Sequence, residues 1–190
     1  MIHLGILGST RGTNLDAIAE AIRHQQLNAK IEIVISNKPS AYILERAHLQ
    51  KLHSVFIDPD GLTREEYDLK LSALLKQHEV DLVVLIGYMR ILSAKFISQW
   101  KNKIINIHPS LLPLHAGKMD MDVHKDVILS REKESGCSVH YVTEEVDGGP
   151  VIVQKKCQVL AKDTPETLKT RVQEIEGKAL VDAIKSIIFQ

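Results

Sequence analysis

Asn106 and His108 are the pair whose types and spacing most directly suggest chemistry. They lie in the run Ile104-Ile105-Asn106-Ile107-His108-Pro109-Ser110-Leu111-Leu112-Pro113. Strand side chains alternate, so the two polar groups share one face about 6.5–7 Å apart, while Ile105 and Ile107 point to the other. Pro109 ends the strand, which places both at its carboxyl end, where open α/β sheets bind ligands. The plainer reading is a buried polar pair satisfied by backbone. A second candidate is Asp147 in Glu144-Glu145-Val146-Asp147-Gly148-Gly149-Pro150. This is first of all a turn between two strands. A carboxylate on such a loop, set beside a histidine, could also hold the imidazole protonated and accept a proton through water. The third is Gly8-Ser9-Thr10-Arg11-Gly12-Thr13-Asn14, a turn that leaves an apolar strand and enters a helix. Backbone amides at a helix N-terminus form a ready anion site. The turn lacks the ending of a nucleotide P-loop, and its glycines, at 5, 8 and 12, miss the dinucleotide spacing. A small phosphomonoester suits it better than ATP or NAD.

Positioning these groups requires a parallel sheet. Ile2–Leu7, Ile31–Ile35 and Leu82–Ile86 are short and rich in Val, Ile and Leu, as strands buried on both faces must be. Helical patterns lie between them. Thr13 or Asn14 can cap a helix carrying Leu15, Ile18 and Ile22. Thr63 with Glu66 forms a capping box ahead of Tyr67, Leu71, Leu74 and Leu75. The βαβ pattern predicts right-handed crossovers. Beyond residues 103–108 the rhythm changes. Residues 109–120 are turn-rich, strands 136–143 and 151–160 follow without a helix between them and so pair antiparallel, and Thr164-Pro165 opens a long amphipathic helix. The charges Asp120, Asp122, Lys125 and Asp126 make 117–136 read as a solvated lid. The fold class is therefore α/β, an open, mostly parallel twisted sheet with an antiparallel C-terminal strand pair.

The 190 residues suffice for one core and one domain. Lys and Arg number 24 against 24 Asp and Glu, and the isoelectric point is near 7.1. That balance argues against a nucleic-acid partner. The start lacks a basic n-region, and no apolar run could span a bilayer, so the expectation is a cytoplasmic protein without a membrane partner. Cys137 and Cys157 read as reduced thiols, and neither they nor the nine histidines show metal-ligand spacing. The oligomeric state, monomer or homodimer, stays open.

Asn106-Ile-His108-Pro-Ser-Leu-Leu-Pro113 followed by Asp147-Gly-Gly-Pro150 resembles the folate-dependent formyltransferase family, and the likeness runs over nearly the whole chain. It implies an enzyme that takes its formyl group from 10-formyltetrahydrofolate as co-substrate and needs no metal. The loop 9–14, the segment Met89-Arg90-Ile91-Leu92 and the length narrow the resemblance to the branch that formylates glycinamide ribonucleotide in purine synthesis. By resemblance, Asn106, His108 and Asp147 are catalytic. Gly12, Thr13 and Asn14 hold the ribonucleotide phosphate, and Gln173 and Glu176 lie near the ribonucleotide. Arg64, Met89, Arg90, Ile91, Leu92, Asn106 and the loop Thr143, Glu144, Glu145, Val146, Asp147 contact the folate. Residues 1–100 would then form the ribonucleotide-binding half and 101–190 the folate-binding and catalytic half. The implied mechanism has Asn106 and a protonated His108 donate to an oxyanion, with Asp147 raising the His108 pKa and relaying the amine's proton. After Pro113 the chain departs from the usual family pattern, so no role passes to His124 or Lys118. The alternatives are a methionyl-tRNA formyltransferase, disfavoured by the zero charge and the absence of a further domain, a formyltetrahydrofolate hydrolase, and an idle phosphate- or folate-binding module.

Overall fold

The structure, a computed structural model, describes residues 1–189 and divides into two compact units, Met1–Asn106 and Ile107–Gln190. In the first, β1 (Ile2–Leu7), α1 (Thr13–Arg23), β2 (Ala29–Ser36), α2 (Tyr42–Leu49), β3 (Ser54–Phe56), α3 (Arg64–Gln77), β4 (Leu82–Leu85) and α4 (Ala94–Gln99) lead into β5 (Ile104–His108). Every strand pair here is parallel: β1 with β2 and β4, β2 with β3, and β4 with β5. The apolar runs explain this, since Leu4, Ile6, Ile33, Val34, Ile35, Val83 and Val84 are fully buried between helical layers. The second unit carries α5 (Met121–Leu129), β6 (Glu134–Tyr141), β7 (Val151–Gln158) and α6 (Pro165–Ile188). There β6 runs antiparallel to β7, with Ser138 opposite Gln154 and Val139 opposite Val153. Helix α6 covers both strands with Leu168, Val172, Ala179, Leu180, Ala183 and Ile184. The strand order is β3-β2-β1-β4-β5-β6-β7. This is the open, mostly parallel sheet with an antiparallel end that the sequence predicts.

The helix signals resolve unevenly. Thr63 Oγ1 accepts from the Glu66 N–H, and a Glu66 carboxylate oxygen accepts from the Thr63 N–H, a complete capping box. Thr164 caps α6 with Pro165 in its first turn. Helix α1 differs. Its N-cap is Gly12, at a φ of 65°, and no side chain caps it, so neither Thr13 nor Asn14 plays that part. Helix α5 occupies the segment read as a solvated lid. Its exposed charges hide a buried stripe of Val123, His124 and Val127 at helical spacing, and α5 packs on α6. Both cysteines are free thiols, and burial pushes that of Cys137 up to about 12. Among the described residues, no helix is long and apolar enough to cross a membrane.

His124, only 1% exposed, has no hydrogen-bond partner at Nδ1. Burial, then the Lys169 charge, bring it from 6.5 down to about 4, against a pull upward from Asp120. A buried neutral histidine binds fewer protons folded than unfolded, so stability falls as pH drops below 6.5 and the loss is complete near 4. The span corresponds to about 3 kcal/mol. Urea unfolding between pH 7 and 4 should therefore show a steep acid decline that is shallower in His124→Gln. Equal slopes would assign the decline to other groups.

Candidate active site

His108 ends β5 and is 4% exposed. Its Nδ1 lies 3.3 Å from Asp147 Oδ2, and its Nε2 lies 3.2 Å from the His115 carbonyl oxygen. A carbonyl only accepts, so Nε2 carries a hydrogen. Burial lowers the His108 pKa, Asp147 and the His115 carbonyl pull it back, and His140 and His115 lower it further. Burial wins, and the net direction is downward. Asp147 acts on the imidazole in the expected sense, and burial opposes it. The ring's Nδ1 faces the carboxylate.

Asp147 adopts a φ of 54° in the tight loop between β6 and β7, which aims its carboxylate back at the strands. Burial raises its pKa, but His140, the Gly117 N–H and the charge of His108 outweigh that and hold it below the usual carboxylate range. Gly117 N–H donates to Oδ2 at 2.9 Å. On the other side His140 Nε2 stands 3.5 Å from Oδ1, while its Nδ1 donates to the Tyr141 carbonyl at 2.9 Å. His140, 2% exposed, is thus a third member of the cluster, on the strand that precedes the Asp147 loop. The signal in the sequence is its alternation with Ser138, which puts both on one face of β6. Ser138 itself is fully buried and serves three partners. Its hydroxyl donates to the Ser110 carbonyl at 2.6 Å and accepts from the Leu112 N–H at 2.9 Å and from Gln154 Nε2 at 2.8 Å. This ties the turn after His108 to β6.

Asn106 is two residues before His108 on β5, half-buried, opposite Leu85 of β4. Elsewhere in the first unit, the turn after β1 is braced from within. Ser9 Oγ donates to Asn37 Oδ1 at 2.5 Å and accepts from the Met89 N–H at 2.9 Å. One hydroxyl therefore joins the turn 8–14 to the segment 89–92, a connection the spacing of residues could not reveal. Thr13 and Asn14 form the first turn of α1, and Asn14 is buried. A Cβ on Gly12 would stand 2.4 Å from Ile43 Cγ1 on α2, so position 12 demands glycine both for its left-handed φ and for its packing. Of the predicted folate contacts, Arg64 is the exposed first residue of α3, and Met89 and Ile91 are exposed while Leu92 is buried. The Arg90 guanidinium lies 4.4 Å over the Tyr67 ring, which orients it. Thr143 is half-buried and donates to the Glu145 carbonyl, while Glu144, Glu145 and Val146 are exposed. On α6, Gln173 is exposed and Glu176 buried.

A histidine and a carboxylate in contact at the end of a strand, with an amide two residues upstream, bring hydrogen-bond donors and a proton acceptor to one place. The pattern of the family described as Formyl transferase matches residues 3–184, and the chain belongs to that family. It is 38% identical to the phosphoribosylglycinamide formyltransferase of Escherichia coli K12 over 92% of this chain and 82% of that one. It is 40% identical to the trifunctional purine biosynthetic protein adenosine-3 of Drosophila melanogaster over 98% of this chain, but it spans only 14% of that protein's length. The crystal structure of glycinamide ribonucleotide transformylase 1 from Symbiobacterium toebii superposes with a TM-score of 0.92 at 38% identity, covering 97% of this chain and 86% of that one.

Proposed function

We propose that this chain transfers the formyl group of 10-formyltetrahydrofolate to the amine of glycinamide ribonucleotide. The observation that carries the reading is the contact between His108 Nδ1 and Asp147 Oδ2, with Asn106 on the same strand. The names of its relatives support the acceptor and the formyl group, and the resemblance of the Asn106–Pro113 and Asp147–Pro150 motifs supports the folate donor. The amine's lone pair attacks the formyl carbon and the carbonyl π pair moves onto oxygen. Asn106 donates its amide N–H to that oxyanion, and His108 donates from Nε2, which needs no positive charge on the ring. One such donor contributes about 3–4 kcal/mol. The amine's proton goes to the His108–Asp147 pair, whose Nδ1 and Oδ2 lie 3.3 Å apart. Collapse of the intermediate re-forms the carbonyl and breaks the bond to the folate nitrogen, whose electron pair takes the proton that the His108–Asp147 pair returns. The products are formylglycinamide ribonucleotide and tetrahydrofolate. Gly12, Thr13 and Asn14 hold the ribonucleotide phosphate, with Gln173 and Glu176 near the ribonucleotide. Arg64, residues 89–92 and residues 143–147 contact the folate.

The test offers glycinamide ribonucleotide, water and methionyl-tRNA separately as formyl acceptors and follows tetrahydrofolate release. Turnover with the ribonucleotide alone is expected. Equal release with water would make the chain a hydrolase, and turnover only with methionyl-tRNA would overturn the acceptor.

A further inference from the structure

The turn that follows β5 is attached to both members of the His108–Asp147 pair. The His115 carbonyl accepts from His108 Nε2 at 3.2 Å and from the Lys118 N–H at 3.3 Å, closing a tight turn. Within that turn, the Gly117 N–H donates to Asp147. Gly117 has a φ of 77° at the third position, where such turns favour glycine. His115 itself sits at a φ of 59°, a conformation that side-chain-bearing residues keep only where the surroundings hold them. What holds it is its imidazole. Nε2 lies 2.8 Å from Glu132 Oε1 and Nδ1 lies 3.5 Å from Asp126 Oδ2, with the ring nearly buried. Asp126 is on α5, and Glu132 follows its end, its N–H donating to the Val127 carbonyl of that helix. Lys118 pairs with Asp126 as well.

We propose that His115 is a positioning residue for formyl transfer, gripped by Glu132 and Asp126 so that its carbonyl keeps the Nε2 hydrogen of His108 in place and its turn keeps Asp147 oriented. In the free protein the Nε2 hydrogen rests on this carbonyl. When the substrate oxygen takes over, one acceptor is exchanged for another and no ring rotation is needed. The side chain of His115 touches no reacting atom, and its effect passes entirely through the backbone it fixes. The assignment rests on the formyl-transfer reading above.

The experiment uses two variants of the whole chain. His115→Asn keeps a residue at ease with positive φ but is too short to reach Glu132. Glu132→Gln leaves the turn untouched and removes one carboxylate. In each, kcat and both KM values are measured, and the His108 ring is followed by 15N NMR. For His115→Asn, kcat should fall about 10- to 100-fold while both KM values stay within about twofold, the size expected of a catalytic group displaced by a fraction of its reach. The His108 Nε2 signal should move in the same variant. Glu132→Gln should change both readouts in the same direction by a smaller factor. Wild-type kcat in both variants overturns the proposal. So does a lower kcat with an unchanged His108 spectrum, because the loss would then come from general loosening. A wild-type chain that transfers formyl to no acceptor overturns the formyl-transfer reading, and the positioning role falls with it.

Discussion

Replacing His108 by alanine or Asp147 by asparagine is expected to lower kcat by about two to four decades each, with little change in folate affinity. The two side chains meet at 3.3 Å and share the place where the transferred proton goes, so removing either disables the same step. The double mutant should accordingly be far less than multiplicatively worse. The pH profile separates tuning from mere placement. A carboxylate favours the charged imidazole, so its loss in Asp147→Asn leaves burial, His140 and His115 all pushing His108 downward. The limb that His108 carries in the activity profile should move to lower pH. Multiplicative losses, or a limb that stays put, would confine Asp147 to loop structure.

The second large effect is expected at Gly12. Gly12→Val should abolish measurable ribonucleotide binding, because charge-assisted hydrogen bonds to a phosphate contribute about 1.5–3 kcal/mol each and two of them make two decades or more. The left-handed φ and the approach of Ile43 mean that the same change also strains the fold. Thr13→Val therefore serves as the gentler arm. It keeps the fold and removes one hydroxyl, so affinity should drop about fivefold, the scale of a single neutral hydrogen bond. Titration calorimetry with ribonucleotide and with folate in turn decides the matter. Folate binding that survives in both variants supports a phosphate site in this turn, and parallel loss of both ligands in Thr13→Val would refute it.

What could be read from the residues follows how strongly local pattern decides structure. β1 spans Ile2–Leu7 as its apolar run does, and the Thr63–Glu66 and Thr164-Pro165 starts are spelled out by their capping residues. β3 has three residues and α4 six, too few for any period to register. Helix α5 stayed hidden because Asp122, Lys125 and Asp126 occupy its solvent side and only three positions reach the interior. The cap of α1 misled for another reason. Thr13 and Asn14 are good capping types, but the chain enters the helix through a left-handed glycine held against Ile43, a long-range contact with no local trace. At the candidate site, Asn106, His108 and Asp147 were legible as types and spacings. The partnership of His108 with Asp147, and the parts played by His140 and His115, depend on which loops fold back on which strands. How strongly burial opposes Asp147 at His108 was not legible, since it depends on how much water is excluded rather than on which residues are near.

The Ser138 hydroxyl has one hydrogen to give and two lone pairs to offer, and all three are taken. Suppose β6 slid by two residues along β7. Its inward and outward faces would be preserved, and apolar burial alone would hardly object. Yet Gly136 or His140 would then arrive where Ser138 now sits, and neither can serve a carbonyl, an amide N–H and a glutamine at once. The serine therefore acts as an index pin. It penalises the one misalignment that hydrophobicity tolerates, and so it settles where along the hairpin His140 comes to meet Asp147.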